Sequence, residues 1–460
     1  MSTHRPGQSA VSRRSFMRYA SLAAAGNAAG LRPFGLLNAM AATGPTNGYK
    51  ALVCVFLYGG NDANNTVIPF DTKGYANYST LRGGPATLAL AQNTLLTLPG
   101  LPNYALHPSL PEIQALVNSG AAAIVSNVGT LLQPTTRATY LAGTASKPTN
   151  LFSHPDQQQE WQNASQSGTI TTGWAGRLAD SMATSYNQSA QLPMVTSVAG
   201  DTLFCNGKMT TPVAVSPGNV SGVACSEGAA CTARTASAQA MLTFNSGLSL
   251  VTADDGITNN AYKYAQTLAS ASASASPLKT VFPSANGLAA QLQQIAQIIA
   301  VRSALGVERQ IFFCGIGNFD THSTQLATQA TLLSGISAAI GAFYQATQEL
   351  GVANQVTTFT MSDFARTLQP NSNGGSDHGW GSHHFVVGGS VLGNKMYGTY
   401  PTLALAGPDD SGTNGRWIPS TATVVYASTL AQWFGVDPAQ LATVFPTLSG
   451  FTTKSLGFLG

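Results

Sequence analysis

Apolar residues in this chain follow two rhythms. Short unbroken runs of branched and aromatic residues, such as KALVCVFLYGG from Lys50 and RQIFFCGIG from Arg309, have the length and composition of strands buried on both faces. Between them lie longer stretches with apolar residues three or four apart: LPEIQALVNSG (residues 110–120), LAAQLQQIAQIIAVRSALG and QATLLSGISAAIGAFYQATQELG. These predict amphipathic helices, the first two closed by Gly120 and Gly306. AAAIVSNVG and QVTTFTMSDFART predict further strands, and HPDQQQEWQNA a helix with Ser153 or His154 near its start. The alternation predicts an α/β fold with a mostly parallel sheet between helices. PMVTSVAG, TLFCNG and TPVAVSPG are short β-like pieces that predict a polar insertion over about residues 193–280. LASASASASP (residues 268–277) is of low complexity and reads as a surface turn or linker.

The amino terminus departs from both rhythms. SRRSFMR (residues 12–18) carries paired arginines, then Phe16 and another basic residue, ahead of a mildly apolar stretch and AATG. This order is that of a twin-arginine export signal. It predicts a leader over residues 1–42, passage through the twin-arginine translocase, and a periplasmic or secreted mature protein with residues 43–460 as one domain. Asn27, Arg32 and Pro33 interrupt the apolar part, so it is too short and too polar for a permanent membrane span. The leader also accounts for the charge. Only 8% of residues are charged and the formal total is +3, but five arginines and no acid fall in residues 1–42. Without them the 21 basic residues drop to 16 against 18 acidic ones, a net of −2. No basic stripe survives to neutralise phosphates, which argues against nucleic acid as a partner. Cys54 and Cys314 lie in strand-like runs as small buried thiols. Cys225 and Cys231 are close enough for a local disulfide in an oxidising compartment, and a Cys205 pairing is equally compatible.

Three of the strand-like runs end in an aspartate inside a polar loop: Asp62 in GGNDANN, Asp320 in NFDTHS and Asp363 in MSDF. A parallel sheet brings such carboxyl ends to one edge, where ligands bind. Five of the seven histidines, His154, His322, His378, His383 and His384, also fall in these polar segments. Core packing does not explain that clustering, whereas His107, beside Pro108, reads as structural. Carboxylate with imidazole suits Zn²⁺, Mn²⁺ or Fe, and pure Ca²⁺ sites rarely need so much His; one or two divalent ions, Zn, Mn, Mg or Ca, are expected. The expected ligands are Asp62, Asp320, His322, Asp363, His378 and His384. Such ions clamp a phosphoryl or sulfuryl group and activate a nucleophile. Ser153 and His154 are the catalytic candidates, because the N–H groups at a helix start favour an anion. Asn64, Asn65, Asp377 and His383 are placed beside the substrate. Singly, each has a plainer role: Ser153 as an N-cap, Asp320 with His322 as a pair that orders a loop, GGNDANN as a turn. Together they are better explained as one site.

The ordered set FLYGGNDANNTVIP, ALHPSLPEI, FSHPDQQQEWQ, GWAGRLAD, FDTHSTQ, SDFARTLQPNSNGGSDHGWGSHHFVVGG and WFGVDP resembles the bacterial domain of unknown function 1501 family. The resemblance covers nearly the whole mature chain. It implies twin-arginine export and kinship with the alkaline phosphatase and sulfatase superfamily, hence a doubly wound α/β sandwich with one or two metals at the strand carboxyl ends. It places Asp62 as the first-strand metal aspartate, Ser153 at the nucleophile position, and Asp320 with His322 at one metal site. Asp363 resembles a later metal aspartate, and His378 or His384 the late metal histidine. Phe364 stands where many superfamily members carry His or Asn, and no lysine or arginine adjoins Ser153. The function implied is a periplasmic metal-dependent hydrolase of phosphate or sulfate esters, acting on a small-molecule ester. The alternative is a non-catalytic exported scaffold on the same fold, working with a co-exported protein partner.

Overall fold

Every residue of the run Lys50–Leu57 after Lys50 is buried, as expected of a strand covered on both faces. Ala51, Val53, Val55 and Leu57 enter one core and Leu52, Cys54 and Phe56 the other, which is the two-residue alternation of a pleated strand. The computed structural model describes residues 48–83, 86–164, 171–218, 228–244 and 247–460, and the leader over residues 1–42 lies outside them.

In chain order the strands are β1 (Lys50–Leu57), β2 (Val67–Pro69), β3 (Leu96–Thr97), β4 (Tyr104–Leu106), β5 (Ala122–Gly129) and β6 (Val195–Ser197). They continue with β7 (Val213–Ala214), β8 (Arg309–Ile316), β9 (Val356–Ser362), β10 (Ser382–Val387), β11 (Met396–Tyr397) and β12 (Thr421–Ala422). The central sheet runs β11-β5-β10-β9-β1-β8-β6-β7, with β12 also on β5, while β2, β4 and β3 form a small antiparallel sheet. Among the described strands β10 alone breaks the parallel pattern of the central sheet, lying antiparallel to both β5 and β9.

Helices cover both faces, so the fold is a doubly wound α/β sandwich. On one side Ile113 and Val117 of Pro111–Asn118, Leu292, Ile295 and Ile299 of Gly287–Ala300, and Ile336, Ile340 and Phe343 of Gln325–Glu349 share a core. On the other side Trp174 and Leu178 of Trp174–Met182, Leu430 and Phe434 of Thr423–Phe434, and Trp161 of His154–Asn163 fill the second core. The helix Gln325–Glu349 is long and apolar enough to cross a membrane, but here its apolar face is buried against the sheet and its neighbouring helices.

Two sequence expectations change. The segment expected as an insertion over residues 193–280 begins inside the main sheet, since β6 pairs parallel with β8 and β7 with β6. Leu203–Cys205 is a 3₁₀ turn rather than a strand, and two helices follow, Ala229–Leu242 and Ser249–Ala273. The stretch read as a linker at residues 268–277 supplies the end of the second helix. Alanine has the highest helix propensity, and Leu268, 1% exposed, anchors that end in the core. Cys54, Cys205 and Cys314 are free and buried, and Cys231 is disulfide-bonded. Cys205 is therefore not its partner, and Cys225 lies outside the described residues.

Candidate metal centre

Because β1, β8 and β9 are parallel neighbours, the loops that follow them emerge along one edge. Gly59, with φ +111°, turns the chain out of β1 so close to the β8 exit that a Cβ there would stand 2.5 Å from the Asp320 amide nitrogen. Asn318, also at positive φ, bends the β8 exit, and Asn tolerates that conformation well. Asp320 and His322 follow it. Asp363 leaves β9, His378 precedes β10, and His154 opens the helix His154–Asn163.

These side chains meet at one oxygen. Asp320 Oδ1 lies 3.0 Å from His322 Nε2, 3.3 Å from His378 Nε2 and 3.4 Å from His154 Nε2. The ligand atoms of His154, Asp320 and His378 all lie within 4.8 Å of one another, and His322 Nε2 is 3.0 Å from His378 Nε2. Two of the rings are held from behind by hydrogen bonds, and the third has a carboxylate near it. His154 Nδ1 is 2.6 Å from Asp363 Oδ2, His378 Nδ1 is 2.7 Å from the Phe152 carbonyl, and His322 Nδ1 is 3.4 Å from Asp377 Oδ1. A carbonyl oxygen only accepts, so His378 Nδ1 carries a proton, and in the neutral ring the Nε2 lone pair then faces Asp320. Histidines that bind metals are oriented in this way, with the second nitrogen bonded to a carboxylate or carbonyl. His154 Nε2 is buried and has no hydrogen-bond partner. Three imidazole nitrogens converging on one carboxylate oxygen fit a divalent cation.

Arg366 fixes the carboxylate. Fully buried, it donates from Nη2 to Asp320 Oδ1 at 3.0 Å and to Ser376 O, from Nε to Ser376 O, and from Nη1 to the carbonyls of Gly59 and Phe319. Burial alone would raise the Asp320 carboxyl, but the bond and charge of Arg366 hold it below its ordinary value. His154 is raised, chiefly by its hydrogen bond to Asp363, while burial lowers His378.

A family model described as a protein of unknown function, DUF1501, matches residues 49–414. The chain belongs to that family. No curated protein matches the sequence. Among solved structures the DUF1501 chain is similar to lipoteichoic acid synthase LtaP from Listeria monocytogenes, at 8% identity, 85% coverage of this chain, 72% of that one and a TM-score of 0.33. It is also similar to PsFucS1 sulfatase from Pseudoalteromonas sp., at 8% identity, 90% and 70% coverage and a TM-score of 0.32. A mutant of the alkaline phosphatase PafA matches at 11% identity, 69% and 64% coverage and a TM-score of 0.25. Likeness at this level carries no argument about the reaction.

In this DUF1501 protein Asp320, His322, His378 and His154 stand together, with Asp363 behind His154 and Asp377 at the border. Asp363 Oδ2 also accepts from Gln158 Nε2 at 2.9 Å and from the Gly59 amide at 3.2 Å, so this oxygen orients His154, while its buried Oδ1 has no hydrogen-bond partner. Ser153 is flanked by Phe152 and His154, which both touch the centre, and its hydroxyl donates to Asp156. Five residues expected at the site are engaged elsewhere. Asp62 is fully buried against Arg82 at 2.5 Å and also accepts from Gln325 Nε2 and the Asn64 amide. Both of its carboxylate oxygens are taken up by these donors, and it does not stand with His154, Asp320 and His378. Asn64 donates to Arg366 O and accepts from Trp417 Nε1, and Asn65 bridges Leu88 O and the Tyr78 hydroxyl. Both tie loops together and face no open space. His383 accepts from the Asn127 amide and stacks on Tyr400, and His384 packs between Trp161 and Tyr426. Burial lowers both rings to about 3, so they sit neutral in the strand. His107 is likewise buried, accepting from the Ser109 amide.

Arg366, Arg82 and Gln158 went unread in the sequence. A signal existed for two of them. Arg366 is a rare charge three residues after Asp363, and Gln158 lies four residues after His154, on the same helix face.

Proposed function

We propose that the protein is a metal-dependent hydrolase of phosphate or sulfate esters, exported through the twin-arginine route to act in the periplasm or outside the cell. The observation that carries the reading is the convergence of three imidazoles, two of them anchored from behind, on Asp320 Oδ1. His154, Asp320, His322 and His378 would hold one cation. Three nitrogens and one oxygen suit Zn²⁺, Mn²⁺ or Fe better than Mg²⁺ or Ca²⁺, which take mostly oxygen. A bound cation would supply positive charge to the oxygens of the transferred group. The chain's own part begins at Ser153. Its hydroxyl donates to the Asp156 carboxylate, which would take the proton as Oγ bonds to phosphorus or sulfur and pass it to the ester oxygen as that oxygen leaves. Water would then attack the same atom and give a proton to Asp156, which returns it to Oγ as the bond to Oγ breaks.

A second reading, a metal-holding scaffold that serves a co-exported partner without turnover, draws on there being a single such cluster of His and Asp among the described residues. Metal analysis and hydrolysis of 4-nitrophenyl phosphate and sulfate separate the two. Ser153→Ala should keep the metal and lose turnover, and His378→Ala should lose both. Stoichiometric metal with no hydrolysis of any ester tried would favour the scaffold. For the route of export, replacing Arg13 and Arg14 together by Lys should leave folded precursor in the cytoplasm.

A further inference from the structure

Arg366 cannot meet a substrate, because all five of its N–H donors are spent on protein oxygens. Arg416 is different. Its Nε donates to the backbone carbonyl of His378 at 2.8 Å, and its guanidinium lies 4.5 Å over the ring of Phe152. Phe152 in turn accepts the ring proton of His378 through its own carbonyl. The three residues close a ring, and the guanidinium is thereby fixed beside a proposed metal ligand and the residue preceding Ser153. Its Nη1 and Nη2 have no hydrogen-bond partner, and no carboxylate pairs with it, among the described residues.

A half-buried guanidinium with a free N–H fork beside a cation-binding centre is placed to share an anion with that centre. We infer that Arg416 is the specificity-determining residue that receives two oxygens of a tetrahedral oxyanion on the free fork of its guanidinium. Planar guanidinium matches such oxygens in pairs, which an ammonium does not. Stacking on Phe152 holds the fork in place before the anion arrives, so little side-chain freedom is lost on binding. The assignment rests on the reading that the centre holds a cation and takes an ester of this class, and it adds how an anionic substrate is told from a neutral one.

The test uses mature protein loaded with zinc, inorganic phosphate as the probe, and calorimetry alongside zinc content. Arg416→Gln should keep its zinc and bind phosphate roughly tenfold to a hundredfold more weakly, as expected for loss of a charge-assisted contact. Arg416→Lys should fall between the two. Phosphate affinity unchanged in Arg416→Gln with zinc retained overturns the assignment. Loss of zinc overturns it too, because the side chain then serves to hold His378. Should Arg416→Gln fail to fold, Arg416→Lys decides, and wild-type affinity there removes the forked contact. Wild-type protein that binds phosphate through Arg416 and hydrolyses no ester would defeat the hydrolase reading and leave the anion assignment standing.

Discussion

Asp320 and Asp363 follow the strands on either side of β1 and look alike in sequence, yet their surroundings differ. Asp320 is half exposed and offers one oxygen to three imidazoles, whereas Asp363 is fully buried and spends Oδ2 on His154, Gln158 and Gly59. Asp363→Asn keeps the shape but weakens the hold on His154, and cation affinity should fall by about 10- to 100-fold, the usual effect of losing a partner behind a metal ligand. Asp62→Asn makes the contrast. It leaves Arg82 charged and unpaired in the core, so stability should drop by roughly 3–5 kcal/mol with zinc content unchanged. Urea unfolding and metal analysis of the two variants would show opposite patterns; zinc lost in Asp62→Asn and kept in Asp363→Asn would reverse the roles. The cluster of acids and histidines was legible in the sequence because a chain with few charges shows them plainly. The division of labour was not, since it depends on Arg82, twenty residues beyond Asp62, and on Arg366, whose reach to Asp320 exists only after β8 and β9 are placed.

At the scale of elements, strand runs and helical spacing located β1, β5, β8 and β9 and the helices that cover them. Misreadings came where composition and context disagree: the alanine and serine repeat that ends a helix, and the His383-His384 pair that looks reactive but lies in β10. That strand is wedged antiparallel between β5 and β9, which buries both rings. The β1 exit shows how elements set the site. Gly59→Ala would force a Cβ to within 2.5 Å of the Asp320 amide and 2.9 Å of Phe319 backbone atoms, at a φ that L-residues avoid. The β8 exit must shift to relieve the overlap, carrying Asp320 and His322 with it. We expect a loss of about 1–3 kcal/mol from overlap and strain, together with cation binding weakened at least tenfold. Gly59→Ala protein with wild-type zinc affinity would show that the two loops have room to spare.

For the molecule as a whole, burial of uncharged histidine makes stability depend on pH. His383 is 3% exposed and lowered to about 3 by burial, whereas the same ring in the unfolded chain titrates near 6.5. As pH falls below that value the unfolded state takes up the proton first, so the stabilisation is complete above about pH 6.5 and declines as pH drops toward 3. The change is about 1.4 kcal/mol per pH unit for one ring. His384 and His107 act in the same direction. Glu160, raised by burial to about 7, and His154, raised by Asp363, act against them, so the total slope mixes several groups. A single substitution isolates one. In His383→Asn the amide oxygen can accept from the Asn127 amide in place of Nδ1, and nothing at that position titrates. Between pH 7.5 and 5.5, wild-type protein stripped of metal should lose about 1.4 kcal/mol more stability to urea than His383→Asn. That interval lies above the range in which most carboxylates titrate, so the difference reports the ring. Parallel pH profiles for the two proteins would mean that His383 takes up its proton as readily when folded as when unfolded, and that β10 opens enough to admit the charge.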